Sequence, residues 1–147
     1  MAEGADLRRI REGYVGPEHP VMQRVTAALQ AAHRLRPRRP RARGTDGCSI
    51  PTYAIPLRHL ARAFARVGSG VGLAPGACRR GPAACATAVA RHPFMVGGTG
   101  RFDTRVMERL GERVFCKVGA EAVFCAAFPE RGLGVAIRST MATTRAA

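Results

Sequence analysis

The chain has 147 residues and a formal net charge of +14, from 24 Lys+Arg against 10 Asp+Glu. Of the basic residues, 23 are Arg and one is Lys, Lys117, and the chain has neither Trp nor Asn. This length suits one domain with a core of its own, an apolar fraction of 46% excludes a disordered chain, and no apolar run approaches a membrane span.

The N-terminus, Met1 to Arg11, carries acids and arginines but no apolar segment, so it is not a secretory signal and the expected address is the cytoplasm. Pro20 stands where a first helical turn accepts proline. Val21, Val25, Ala28, Leu29 and Ala32 then recur at helical spacing, which predicts a helix from about Pro20 to Ala32. Arg34 to Arg43 packs six arginines and two prolines into ten residues, a solvated loop by composition. Without that run the net charge falls to +8. A polyanion such as nucleic acid is the functional reading of the run. The aromatic residues are scattered rather than interleaved with it, no reading motif accompanies it, and the excess of Arg extends through the chain as a GC-rich coding bias would produce.

Gly44 to Pro56 reads as a loop, with a turn at Asp46-Gly47. A second helix opens at Pro56, its apolar face made by Leu57, Leu60, Ala61 and Phe64, and Arg58, Arg62 and Arg66 form a solvated basic stripe. Gly68 to Gly76 is a glycine-rich break. Cys78 to Arg91 reads as a helix whose start is spoiled by Gly81-Pro82 and which ends at His92-Pro93. Val96 to Arg101 is a glycine-rich loop. Asp103 is placed to cap a short helix carrying Val106, Met107 and Leu110, with Gly111 as its stop. The pattern then changes period. Val114 to Val118, Ala122 to Phe128 and Leu133 to Arg138 read as three strands of an antiparallel meander, and helices followed by strands make an α+β chain. Five cysteines, at 48, 78, 85, 116 and 125, form no CxxC pair and fit free thiols in a reducing compartment.

Four stretches carry a resemblance: YVGPEHPVMQRV (Tyr14 to Val25), TDGCSIPTYAIPLRHLARAFARV (Thr45 to Val67), HPFMVGGTGRFDTRVM (His92 to Met107) and RVFCKVGAEAVFCAAFPERGLGVAIR (Arg113 to Arg138). In order and spacing they resemble the bacterial asparaginase family that shares its fold with serine β-lactamases. The resemblance implies a partial serine β-lactamase-like fold, helices packed on an antiparallel sheet of which the C-terminal strands are present. It implies hydrolysis of L-asparagine to L-aspartate and ammonia, a small-molecule substrate, a homodimeric assembly in the intact family, and no membrane or nucleic-acid partner. Family members are more than twice as long, and their N-terminal half holds a Ser-x-x-Lys pair and a Cys-Ser-Gly-Lys-His segment. Neither motif occurs in this chain. Arg34 to Arg43 and Gly76 to Cys85 are unlike the family, as misread GC-rich frames would be, and Ser139 to Arg145 lacks the acids of the family's Asp-Asp-Gly-Ala-Thr-Arg-like stretch. The expectation is a C-terminal portion of an asparaginase, inactive by itself. The alternatives are a basic polyanion-binding module and a non-functional fragment that folds poorly.

By the resemblance, Cys48 is a zinc ligand completed by the Cys and Lys of the missing segment. Zinc therefore belongs to the intact enzyme and is not expected on this chain alone. A thiolate in a glycine-flanked loop is a good zinc donor, and Asp46 is placed to orient a ligand or the substrate beside it. Lys117, in a Lys-Val-Gly segment similar to the Lys-[Ser/Thr]-Gly strand of penicillin-recognising enzymes, is the catalytic candidate. A lysine there can bind a substrate carboxylate or pair with a serine as proton shuttle, and in the second role Arg cannot stand in for it, because guanidinium stays protonated. Thr99 and Arg101 suit a substrate carboxylate, through backbone N–H groups and a guanidinium, or a plain turn before a helix. Glu121, on a strand, would take the α-ammonium group or simply face water. The family usually has Gly where Ala122 stands. His19, His33, His59 and His92 show no metal-ligand spacing and read as structural.

Overall fold

The computed structural model describes residues 12–33, 43–73 and 81–139. The Arg34–Arg43 run apart from Arg43, Cys78, and the stretch from Thr140 lie outside the described residues. The architecture is α+β, with five α-helices and two small antiparallel sheets among the described residues. The chain divides into two compact units, Met1–Ile55 and Pro56–Ala147.

The first unit holds α1 (Pro20–His33), β1 (Arg43–Thr45) and β2 (Pro51–Tyr53). Helix α1 starts where the proline allows it, and the ring of His19 accepts the Val21 N–H at Nδ1 (3.2 Å), so one orphan donor of the first turn is satisfied. Met22 is buried, and the Thr26 hydroxyl meets the Tyr53 hydroxyl at 2.5 Å, tying α1 to β2. The segment expected as a loop, Gly44 to Pro56, instead contains a hairpin in which Arg43 pairs with Tyr53 and Thr45 with Pro51. Its turn does sit at Asp46-Gly47: the Ser49 N–H donates to Asp46 O at 2.8 Å and the Asp46 N–H to Ile50 O at 3.0 Å.

The second unit is layered. Strands β3 (Phe115–Val118), β4 (Val123–Phe128) and β5 (Leu133–Arg138) form the expected antiparallel meander in the order β3-β4-β5. Helix α2 (Leu57–Ser69) covers one face, where Phe64 stacks on Phe115 with ring centroids 5.3 Å apart. Helix α5 (Phe102–Leu110) covers the other, where Met107 packs with Val114, Cys116 and Ala126. Met107, Cys116 and Ala127 have no exposed surface. Val89 of α3 (Gly81–Arg91) and Val96 of α4 (Pro93–Gly97) pack against the same cluster. Burial of one such side chain contributes about 2 kcal/mol.

Several boundaries differ from the sequence reading. Helix α2 runs through Gly68 and Ser69 and stops at Gly70, whose left-handed conformation (φ 71°) ends it. Gly81-Pro82 opens α3 rather than spoiling it, since proline in a first turn removes no intrahelical bond. Val96 and Gly97 belong to α4, not to a loop. Asp103 is not the cap of α5. Arg101 holds the N-cap position with extended backbone, and Asp103 is the second residue of the helix, within its first turn and 1% exposed.

The β3–β4 turn also departs. Glu121 lies in it rather than on a strand, and Glu121 (φ 52°) and Ala122 (φ 56°) both have positive φ. The Val123 N–H closes the turn on Ala120 O at 3.2 Å. Positive φ at both central positions is a type I′ pattern, which favours Asn-Gly and costs other residues about 1 kcal/mol each. Ala122→Gly is therefore expected to raise stability by about 1 kcal/mol, read as a higher midpoint in urea with unchanged slope. A lower midpoint would show that the Ala122 methyl earns more by packing than the backbone loses.

Candidate functional site

The first unit places Asp46 and Cys48 together at the hairpin turn. The Cys48 thiol is exposed and donates to Asp46 Oδ2 at 3.6 Å, while Asp46 Oδ1 accepts the Gly47 N–H at 2.8 Å. Ser49, just after them, has φ 68° and closes the turn. The thiol and carboxylate are two donors side by side, a fit to part of a metal shell. Among the described residues, no three His, Cys, Asp or Glu side chains gather into a metal-binding group.

In the second unit, Lys117 is exposed on β3, directly across from Cys125 on β4. Its ammonium Nζ donates to the Val118 carbonyl at 2.6 Å. Thr99 and Arg101 are exposed in the short loop between α4 and α5. Gly98 (φ 87°) and Gly100 (φ 67°) give that loop a conformation that L-residues with side chains rarely adopt. Glu121 is highly exposed and faces Arg138, with Oε2 and the guanidinium 3.7 Å apart. A pair this exposed contributes little to stability. Glu121 thus points to an arginine of β5.

The residue that the sequence reading misplaced joins these parts. Asp103 Oδ1 accepts the Thr104 N–H at 3.2 Å, and Oδ2 accepts the Val118 N–H across a longer 3.4 Å. The Thr104 hydroxyl donates to the Gly98 carbonyl at 2.8 Å. Loop and lysine strand are therefore both tied to the first turn of α5. A signal did exist: an Asp-Thr pair straight after a glycine-rich loop offers short acceptors and donors to the neighbouring backbone. What lay beyond the sequence was their target, since Val118 is 15 residues away.

The thiols divide by burial. Cys48 and Cys85 are exposed; Cys116 and Cys125 are buried. Burial pushes the Cys116 thiol up to about 11, and the Asp103 carboxylate nearby adds to the rise. Burial also raises Cys125. Buried thiols of this kind stay protonated near neutrality and are poor nucleophiles, so neither replaces a catalytic serine.

With this geometry in place, comparison with known families is decisive. A profile of the L-asparaginase II family matches residues 2–147. The chain belongs to the L-asparaginase II family. No curated protein matches it. Its membership makes it an asparaginase-family hydrolase chain. No helix among the described residues is long and apolar enough to cross a membrane.

Proposed function

We propose that this chain carries the lysine strand and the carboxylate-binding loop of an amidohydrolase that converts L-asparagine to L-aspartate and ammonia. The family match over residues 2–147 carries the reading. The layered meander fits the C-terminal part of a serine β-lactamase-like fold, and the free thiols fit a cytoplasmic address.

In this reading Lys117 acts on protons. As a free amine it takes the proton of a serine hydroxyl while that oxygen attacks the side-chain amide carbon of asparagine. It returns the proton to the amide nitrogen, which leaves as ammonia, and water then releases aspartate from the acyl-serine. The exposed position of Lys117 on β3 supports the role. The loop N–H groups at Thr99 and Gly100, with the Arg101 guanidinium, bind the α-carboxylate as charge-assisted donors. Glu121 can take the α-ammonium group only by leaving Arg138. Cys48 would give zinc its thiolate, with Asp46 orienting a neighbouring ligand or the substrate, and bound zinc would supply a fixed positive charge. With two donors at one turn, this chain alone should hold zinc weakly.

The sequence contains no Ser-x-x-Lys pair, so the chain is expected to bind product without turning over substrate. L-aspartate added to the ¹⁵N-labelled chain should shift the amides of Thr99, Gly100 and Arg101, and Arg101→Ala should abolish the shift. Ammonia release from L-asparagine should stay at background with or without zinc. Absence of the amide shifts would overturn the loop assignment. Turnover within the usual enzyme range of ~1–10³ s⁻¹ would overturn the need for an added nucleophile.

A further inference from the structure

Asp103 is an acidic side chain 1% exposed, with no salt-bridge partner among the described residues and no use in the proposed reaction. Buried carboxylates are costly unless hydrogen-bonded, so its acceptors matter. Both of its oxygens face backbone N–H groups, one on its own helix and one on β3. Strand β3 is an edge of the sheet, and the Val118 N–H points away from β4. An edge N–H usually donates to water or to nothing; here a carboxylate takes it. The Val118 carbonyl, in turn, accepts from Lys117 Nζ. One residue thus carries two bonds in series, from Asp103 to the Val118 N–H and from the Val118 carbonyl to Lys117.

We infer that Asp103 is a positioning residue, fixing Nζ of Lys117 through the backbone of Val118 while Thr104 fixes the carboxylate-binding loop through Gly98. The inference deepens the proposed role of Lys117 and rests on it only for its meaning in catalysis. A first turn that ties both parts sets their spacing, and holding reacting groups at fixed spacing is where positioned sites gain most of their rate. The pair is also packed tightly. A Cβ on Gly97 would stand 2.8 Å from Asp103 Oδ1 and 3.0 Å from Asp103 Cγ, and would overlap the Thr104 hydroxyl. The carboxylate therefore has little room for a second rotamer. Nor can asparagine replace it. A carboxylate offers two acceptor oxygens to the two N–H donors, whereas an amide offers one oxygen and adds two donors.

The only lysine in the chain makes the test direct. Reductive ¹³C-methylation gives one side-chain signal, from Lys117, apart from that of the N-terminal amine. In the full chain that signal should be displaced from its position in a free peptide. The Val118 amide should exchange at least tenfold slower than an unprotected amide, despite its place on the sheet edge. Asp103→Asn should speed Val118 exchange at least tenfold and move the Lys117 signal toward the free position. Thr104→Val should perturb the amides of Thr99 and Gly100 and leave the Lys117 signal in place, which a general loss of structure would not do. If Asp103→Asn fails to fold, the wild-type measurements decide. Unprotected Val118, or a Lys117 signal at the free-peptide position, overturns the inference, as does a folded Asp103→Asn chain with an unmoved Lys117 signal. None of these readouts needs substrate, so failure of L-aspartate to bind would count against the proposed reaction and not against the tether.

Discussion

Gly134→Ala should severely destabilise the second unit. Gly134 lies on β5, opposite Ala127 of β4, on the sheet face that α2 covers. A Cβ there would stand 2.5 Å from the Ala65 nitrogen and 2.9 Å from the Ala61 carbonyl carbon, and would overlap the Ala61 oxygen. These are backbone atoms of a helix, so no rotamer change relieves the contact. The whole helix must lift from the sheet, and the Phe64–Phe115 stack with it. The expected cost exceeds about 4 kcal/mol, the upper end of single-residue effects, against a total stability of ~5–15 kcal/mol for a domain. The measurement is a thermal or urea melt followed by circular dichroism. Gly119→Ala is the control: its Cβ would meet Val123 at an ordinary 3.5 Å, so a change within about 0.5 kcal/mol is expected there. A cooperative Gly134→Ala melt close to wild type would mean that α2 does not approach β5 this closely.

Gly134 also marks where sequence reasoning succeeds and where it stops. The strand itself was legible, and Leu133–Arg138 forms over the residues expected. Alternating apolar residues bounded by Gly132 and Arg138 specify it without help from elsewhere. A glycine within such a strand is a known sign of close backbone approach, but the approaching partner lies about seventy residues earlier and left no mark in the local pattern. The hairpin at Arg43–Tyr53 was missed for another reason. Three-residue strands show no usable period, and Pro51 argues against a strand unless it lies at an edge, as it does here. The turn at Glu121-Ala122 lacks the Asn-Gly or Asp-Gly signal of its conformation, so both residues were assigned to strands.

The candidate site divides along the same line. Lys117, Thr99, Arg101 and Cys48 were legible because residue chemistry and resemblance single them out, and all four are exposed where a ligand can reach them. Glu121 was readable as an acid near the site, but its φ and its pairing with Arg138 come from the turn. Asp103 was legible as a helix-start residue and mistaken in role. An Asp before an apolar helical pattern normally caps that helix with its own oxygen. Here the helix begins two residues sooner, with Arg101 at its N-cap, and the carboxylate serves a strand edge instead.

The tight seat of that carboxylate yields the second large effect. Gly97→Ala should destabilise the chain by about 3 kcal/mol, within the range for overpacking a filled interior, and lower Tm by roughly 10 °C. Unlike Gly98 and Gly100, Gly97 has no positive φ, so the cost comes from contact and not from backbone conformation. The new methyl would meet Thr104 Oγ1 and the Asp103 carboxylate, both rigidly placed on the first turn of α5. Moving them breaks the bond to Gly98 O on one side and to the Val118 N–H on the other. The origin of the cost can be separated by a double-mutant cycle. Thr104→Ala removes the hydroxyl that the methyl overlaps, so Gly97→Ala made in that background should cost at least about 1 kcal/mol less than in wild type. Strict additivity of the two changes would place the clash on Asp103 alone. In that case Gly97→Ala should disturb the Lys117 signal more than the amides of Thr99 and Gly100, because only the Val118 arm of the tether would be displaced.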